Sequence, residues 1–547
     1  MYLLFFTELC SMLKSATVIA ALVLSGLFYA SCNNCHSKET TFDAVASDTI
    51  FLSDIPYSEL LLDSTALELF LAKHEAGKAD AADMRKFYTS RNFTYAWFTK
   101  KGMTEQAGHF LNLQQQYILE TGDSSVANPL LDSLFAKFTG DTVFTTQKIP
   151  AIEETELLLS LQFFIYTRKA YVGKEVNLRD LSWFIPRKKL DAAALLRSMT
   201  DRNTDSLSFR EPVGMPYKML KKYLLQYDAL QAKDTFSTMV LTAKKLQYGD
   251  TSRLVARIKQ KLFFLGDLQT ADRSGTFDST LYKAVVRFQG RHGLATDGVI
   301  GKKFMDAFNV PVKDRVLQLL INLERYRWVP DQLEGDFLVV NIPEFKLHVH
   351  QDGHYAWNTP VIVGKEITET VIFTSNLKYI VFAPYWNVPA SILYKEILPK
   401  VRRDAGYLAR HHMEWHNGGV RQRPGPDNAL GKIKFLFPNS YNIYLHDTPS
   451  RNLFDEAKRT FSHGCIRVKN PQKLAEFLLR YDPNWTADSI QSAMNRTSEW
   501  RFSLPKTTPV FVGYFTAFVD EFGLLNFRED IYGHDARLKT VLFSDGH

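Results

Sequence analysis

The sequence predicts a multi-domain α+β protein, and three observations predict it. At 547 residues the chain is too long for one core, so roughly two to four domains are expected. Between Asp54 and Asp234 the apolar residues cluster as they do in helices. From Phe337 onward apolar and polar residues alternate, and turn residues separate short runs. The expected architecture is a helical scaffold domain, a small three-helix module, and a β-rich, mixed β-sandwich-like domain interrupted by a flap.

Taken in order, residues 1–32 read as an export signal. Lys14 precedes the apolar run Ser15 to Ala30, which is short for a membrane-spanning helix. Met12 is an alternative start that would leave a compact basic region. The run ends in Tyr29-Ala30-Ser31-Cys32, which resembles a lipoprotein lipobox with Tyr29 in place of the usual aliphatic residue. Cys32 is therefore the candidate lipid anchor, and plain secretion or an uncleaved anchor is the alternative. Either route puts the mature chain outside the cytoplasm, with residues 33–53 as a polar tether.

Residues 54–238 are expected to be helical. Leu60, Leu61, Leu62, Leu67, Leu69, Phe70 and Leu71 form one apolar cluster, and Leu157 to Phe164 form another. Connectors such as Thr121-Gly122-Asp123 and Arg202-Asn203-Thr204-Asp205 separate the helices. In the module at 242–310, Leu254, Ile258, Leu262 and Leu265 follow helical spacing, as do Leu281, Ala284, Val285 and Phe288. A linker helix is expected within 315–335, and a β-rich domain over 336–518. There Lys346 to His350 and Tyr355 to Val363 read as a hairpin around Gln351-Asp352-Gly353. The pattern breaks over about 391–431, the expected flap. Residues 519–547 form a C-terminal extension returning toward a wall of that domain.

Composition narrows the function. A formal charge of +7 without a dense Lys/Arg stripe disfavours a nucleic-acid partner. Of four cysteines, Cys10, Cys32 and Cys35 lie near the N-terminus and Cys465 stands alone, so no disulfide framework is expected. A lone cysteine with distant histidines is a candidate nucleophile. Cys465 sits in Ser462-His463-Gly464-Cys465-Ile466-Arg467, and these neighbours are costly for a plain core site. His446 is the preferred base because Tyr444 and His446 share one side of an expected strand. His463 competes for that role, or braces the turn through a backbone hydrogen bond. Gly464 allows a tight turn that brings N–H groups toward an oxyanion. Arg467 either orients a substrate carboxylate or makes a structural ion pair. His412 and His416 have the spacing of a zinc pair, but Glu414 is misplaced for that pattern and no third ligand is evident. No metal or other cofactor is expected.

With these residues in place, the C-terminal half resembles the L,D-transpeptidase family, whose catalytic domain is YkuD-like. His446-Asp447-Thr448-Pro449 and the Ser462–Arg467 motif carry the resemblance. Val363-Gly364-Lys365, Tyr385-Trp386-Asn387-Val388-Pro389, Arg423-Pro424-Gly425-Pro426 and Asn428-Ala429-Leu430-Gly431 extend it. The module's Phe288-Gln289, Gly293-Leu294, Asp297-Gly298 and Gly301 resemble a peptidoglycan-binding domain. Phe87-Tyr88 and Ala96-Trp97-Phe98 fit the scaffold of the large Gram-negative subgroup. One departure is Val371, where many relatives carry proline.

The resemblance implies a periplasmic enzyme of cell-wall biogenesis acting on peptidoglycan. Cys465 attacks a tetrapeptide stem, D-Ala leaves, and a second stem's amine resolves the thioester into a 3→3 cross-link. His446 moves the proton; the backbone at Gly464 and Cys465 and the Tyr444 hydroxyl stabilise the oxyanion; Ser462 belongs to the motif. Trp386 and Asn387 are implied substrate contacts, and carbapenems are implied acylating agents. An L,D-carboxypeptidase, attachment of a lipoprotein to the wall, and a non-catalytic wall-binding scaffold stay open as alternatives. A papain-like protease expects the reverse order of cysteine and histidine.

Overall fold

A computed structural model describes residues 58–543, apart from 75–77, 137, 139–149, 175, 202–208, 210 and 331–332. The export signal, Cys10, the Cys32 anchor, Cys35, the tether and the Arg202–Asp205 connector lie outside the described residues.

The N-terminal part is helical, as its apolar spacing predicts. Pro150–Thr167 is its central helix, buried on nearly all sides. It carries Glu156, a buried carboxylate that accepts hydrogen bonds from the Ala96 and Trp97 amides (2.6 and 2.9 Å) and from the Tyr88 hydroxyl (2.9 Å). Buried polar groups of this kind are stable only when fully partnered, so Glu156 fixes the Tyr88 and Ala96-Trp97 segments together. Three helices, Arg253–Phe264, Ser279–Arg291 and Lys302–Phe308, form the small module around Val255, Ile258, Leu262, Phe288 and Phe304.

The helix Val312–Trp328 does more than link. Leu319 and Leu323 enter the scaffold core, while Ile321 and Trp328 enter the core of the β-rich domain. One helix therefore serves two hydrophobic cores.

The β-rich domain starts with β1 (Phe337–Asn341), β2 (Lys346–Gln351), β3 (His354–Gly364) and β4 (Phe373–Phe382). The flap adds β5 (Trp386–Asn387), β6 (Met413–His416) and β7 (Gly419–Gln422). Then come β8 (Ile433–Leu436), β9 (Leu445–His446), β10 (Thr460–Ser462), β11 (Ile466–Val468) and β12 (Trp500–Gly513). The main sheet runs β10-β3-β11-β9-β8-β4-β12-β1-β2, and β3 also pairs with β2, so the strands close on themselves. Pairing is mixed: β9 with β11, β10 with β3 and β12 with β1 are parallel, and the other pairs are antiparallel.

Two strands mark the end expected for the β-rich domain. β12 begins at Trp500 and ends at Gly513, and β13 (Ala517–Val519) pairs with β14 (Leu525–Phe527). That hairpin packs on the scaffold, not on a wall of the β-rich domain. Ala517, Leu525 and Phe527 belong to the scaffold core. The closing helix His534–Phe543 returns to the β-rich core through Leu538.

Candidate active site

Strand register brings the motif residues together. β9 and β11 run parallel, with Leu445 opposite Ile466 and His446 opposite Arg467. Leu445, Ile466 and Val468 turn into the core. Side chains alternate along a strand, so Tyr444, His446, Cys465 and Arg467 fall on the opposite face. Lys434 joins them, because it pairs with His446 across β8. Strand spacing and rise place the Cys465 and His446 backbones roughly 8 Å apart on the diagonal. That separation suits an imidazole and a thiol leaning toward each other.

Cys465 is half-buried and free. Its thiol donates to the Asn442 carbonyl at 3.6 Å. The Tyr444 amide and hydroxyl lie near enough to the sulfur to act on its charge. Burial pushes the thiol pKa up, while these two donors and the Arg467 charge pull against that rise. The net direction is up, so the resting group is a thiol.

His446 is buried, and its Nδ1–H donates to the Asp447 carbonyl at 2.5 Å. That bond puts a ring proton on Nδ1, and the Leu430 carbonyl also bonds to the ring. Burial and then the Arg467 charge push its pKa down to about 3, so the ring is neutral at physiological pH. The Asp447 carboxylate is itself tied to Arg451 (2.9 Å) and the Lys432 amide (3.0 Å), which steadies the carbonyl beside His446. Tyr444 and His446 lie with ring centroids 5.6 Å apart.

The turn carrying Cys465 is held from both sides. Ser462 Oγ donates to the Cys465 carbonyl at 2.5 Å and accepts from the Gly464 amide at 3.2 Å. That engagement corrects the expectation for Gly464: its N–H is spent on Ser462 rather than open to an oxyanion. Its other expected use stands on firmer ground, since φ is +107° and a side chain there is strained. Thr370 Oγ donates to the Gly464 carbonyl (2.9 Å) and accepts from the Gly364 amide (2.9 Å). The Lys365 amide and Thr368 hydroxyl both donate to the Ser462 carbonyl, at 3.0 and 3.2 Å. The loop Gly364–Thr370 is thus a bracket for the motif turn.

The remaining sequence candidates divide. His463 is exposed, and its Nε2 pairs with Glu396 Oε1 of the flap at 2.9 Å instead of with backbone. Arg467 makes no ion pair among the described residues, and its buried Nε has no hydrogen-bond partner. Trp386 packs against the flap's own core, and Asn387 is exposed beside it on β5. His412 and His416 lie on an extended segment around β6, where an i, i+4 spacing spans roughly 13 Å rather than one helical turn.

Sequence reasoning missed Asn439, Asn442 and Glu396. Asn439 accepts from the Tyr441 and Ile443 amides and donates to the Phe437 and Ile443 carbonyls. It thereby shapes the loop that carries Asn442 (φ +55°) and Tyr444. Pro438-Asn439-Ser440 signals a turn, but nothing local says that the turn faces a thiol.

Comparison with known proteins bears on this site. Residues 335–512 match the L,D-transpeptidase catalytic domain. This region of the chain is thus similar to L,D-transpeptidase catalytic domains. Residues 82–224 match a family described as the scaffold domain, and residues 251–308 one described as "putative peptidoglycan binding domain". A Haemophilus influenzae protein named "Putative L,D-transpeptidase" is 34% identical over 245 residues, which are 41% of this chain and 49% of that one. The chain thus spans about half the length of the curated relative it matches. Among solved structures, an L,D-transpeptidase from Xylanimonas cellulosilytica is 16% identical, with 50% of this chain and 100% of that chain covered and a TM-score of 0.18. One from Stackebrandtia nassauensis is 15% identical, with 50% and 98% covered and a TM-score of 0.21.

Proposed function

We propose that this protein is a peptidoglycan L,D-transpeptidase that works through a thioester on Cys465. The observation that carries the reading is the thiol's setting. Cys465 Sγ lies against the Tyr444 amide and hydroxyl, on the same sheet face as a buried, neutral His446. The domain match and the accompanying binding module support peptidoglycan as the substrate.

In the first step Cys465 sulfur bonds to the carbonyl carbon of the stem's third residue, and His446 Nε2 takes the thiol proton. The Tyr444 hydroxyl and the Cys465 amide stabilise the negative oxygen. The C–N bond to terminal D-Ala then breaks, and its nitrogen takes the proton from His446. In the second step the side-chain amine of another stem attacks the thioester. The C–S bond breaks, a 3→3 peptide bond remains, and the released proton returns the thiol through His446.

Arg467, an unpaired guanidinium on the same face, binds a stem carboxylate; a planar guanidinium suits a bidentate contact. Cys32 anchors the chain to a membrane facing the periplasm, and the module at 251–308 holds it on the wall.

Muropeptide profiling tests the reading. Sacculi incubated with the native protein gain 3→3 dimers, and those incubated with Cys465→Ala do not. Trimmed tripeptides without dimers would defeat the cross-linking claim in favour of a carboxypeptidase.

A further inference from the structure

The flap is a packing unit of its own. Val388, Leu393, Ile397, Met413 and Val420 form its core, separate from the core beneath the main sheet. Its strands β5, β7 and β6 make a sheet that shares no pairing with the nine-stranded one. Its base is fastened. The Ala383 amide donates to the Lys432 carbonyl at 2.9 Å, the Asn428 side chain donates to the Pro384 carbonyl at 3.0 Å, and the Tyr385 amide donates to Glu499 at 2.9 Å.

Beyond that base the attachment is sparse. Between Trp386 and Asp427, among the described residues, the hydrogen bonds that leave the flap go to Asn428 and Ala429 at that base, and one goes beyond it: Glu396 to His463, at 2.9 Å. Its placement is pointed. Glu396 lies in a widened π-type turn, Leu393–Ile397, whose ends Leu393 and Ile397 are buried in the flap core while Glu396 is exposed. His463 lies between the buried Ser462 and Gly464, so the turn that supports Cys465 directs this imidazole outward to the flap. An exposed contact of this kind, a hydrogen bond that is an ion pair only when His463 is protonated, biases an equilibrium by only up to about fivefold. That is too weak to lock the flap and suitable for holding it reversibly.

We propose that Glu396 is a positioning residue: by pairing with His463 it holds the flap beside Cys465 while the thioester exists, and so sets how the thioester divides between amine and water. The inference rests on the transpeptidase reading for its chemistry. Attack by an amine forms a C–N bond and releases the thiol with a cross-linked dimer. Attack by water forms a C–O bond and releases the thiol with a free tripeptide carboxylate. Both routes break the same C–S bond, so at one acceptor concentration and one pH a change in the product ratio between variants reports the cover over the site.

The test uses the full chain with a purified disaccharide tetrapeptide as donor and acceptor, and reads the dimer-to-tripeptide ratio. Glu396→Gln lowers that ratio about threefold to fivefold, within the range an exposed pair supports. Glu396→Lys lowers it at least as far, and the swapped pair Glu396→Lys with His463→Glu recovers most of the loss, as direct coupling requires. An unchanged ratio in Glu396→Gln, or a swapped pair no better than Glu396→Lys alone, overturns the proposal. Intact mass separates this from failure of the transpeptidase reading. If the donor never acylates the native chain, hydrogen exchange over 388–427 still reads the latch: faster exchange in Glu396→Gln supports it, and identical exchange refutes it.

Discussion

At Cys465 opposing effects set the resting state of the site. Burial raises the thiol pKa, and the Tyr444 donors with the Arg467 charge offset only part of that. His446 is displaced the other way, down to about 3. Thiol and imidazole therefore rest neutral, and the proton moves as the substrate is attacked rather than beforehand. The sign follows directly. A base whose pKa is depressed stays competent as pH falls, until pH reaches the depressed value. The acylation rate is expected to be level from about pH 5 to 8, without an inflection near the ordinary histidine value of about 6.5. A pH–rate profile that drops through 6.5 would place an unshifted histidine in control. Tyr444→Phe removes a donor from the sulfur and the oxyanion, and stopped-flow acylation should slow by about 100-fold or more. The two central residues were legible because the Ser462–Arg467 motif is local and His446 lies in a readable strand. Asn442 and Glu396 were not, because each reaches the site through a fold-level contact that no sequence spacing encodes.

Among elements, the motif turn is the most demanding. Ser462 spans it internally, and Thr370, Thr368 and the Lys365 amide hold it from the neighbouring loop. Gly464 at φ +107° is the position where a side chain is least tolerated, and a Cβ there would also approach the Glu369 carbonyl at 3.5 Å. Gly464→Ala is expected to cost about 1–3 kcal/mol, read by denaturant unfolding, and to depress acylation by moving Cys465. The hairpin of β2 and β3 could be read in the sequence because alternation and Asp352-Gly353 agree. The first half of β12 could not. Pro505 and Lys506 interrupt its pattern, and the pairing with β4 shifts register between Ser503 and Thr508. A bulge there breaks the period that sequence reading depends on.

For the whole molecule, the surprise is how tightly the parts are joined. The described residues, 58–543, form one compact unit, although chain length suggests separate domains. Phe527 is buried where three parts meet. Its ring lies 5.6 Å from His292 of the small module and 5.5 Å from Tyr227 of the scaffold, and the Arg315 guanidinium sits over it at 4.7 Å. Arg291 of the module donates to the Leu525 carbonyl, and Arg528 donates back to the Arg291 carbonyl, each at 2.8 Å. The sequence conceals this because Val312–Trp328 buries apolar residues on more than one side, a pattern that reads equally as a generic buried helix. Phe527→Ala should cost about 3–5 kcal/mol in thermal unfolding and loosen the module from the catalytic domain.

The most direct measurement is intact-protein mass after brief incubation with a tetrapeptide donor and no acceptor. A covalent adduct of the donor less its terminal D-Ala, mapped to Cys465 and absent from Cys465→Ala, is the predicted result. A native chain that binds the donor yet gains no mass, or gains the same mass in Cys465→Ala, would contradict the account.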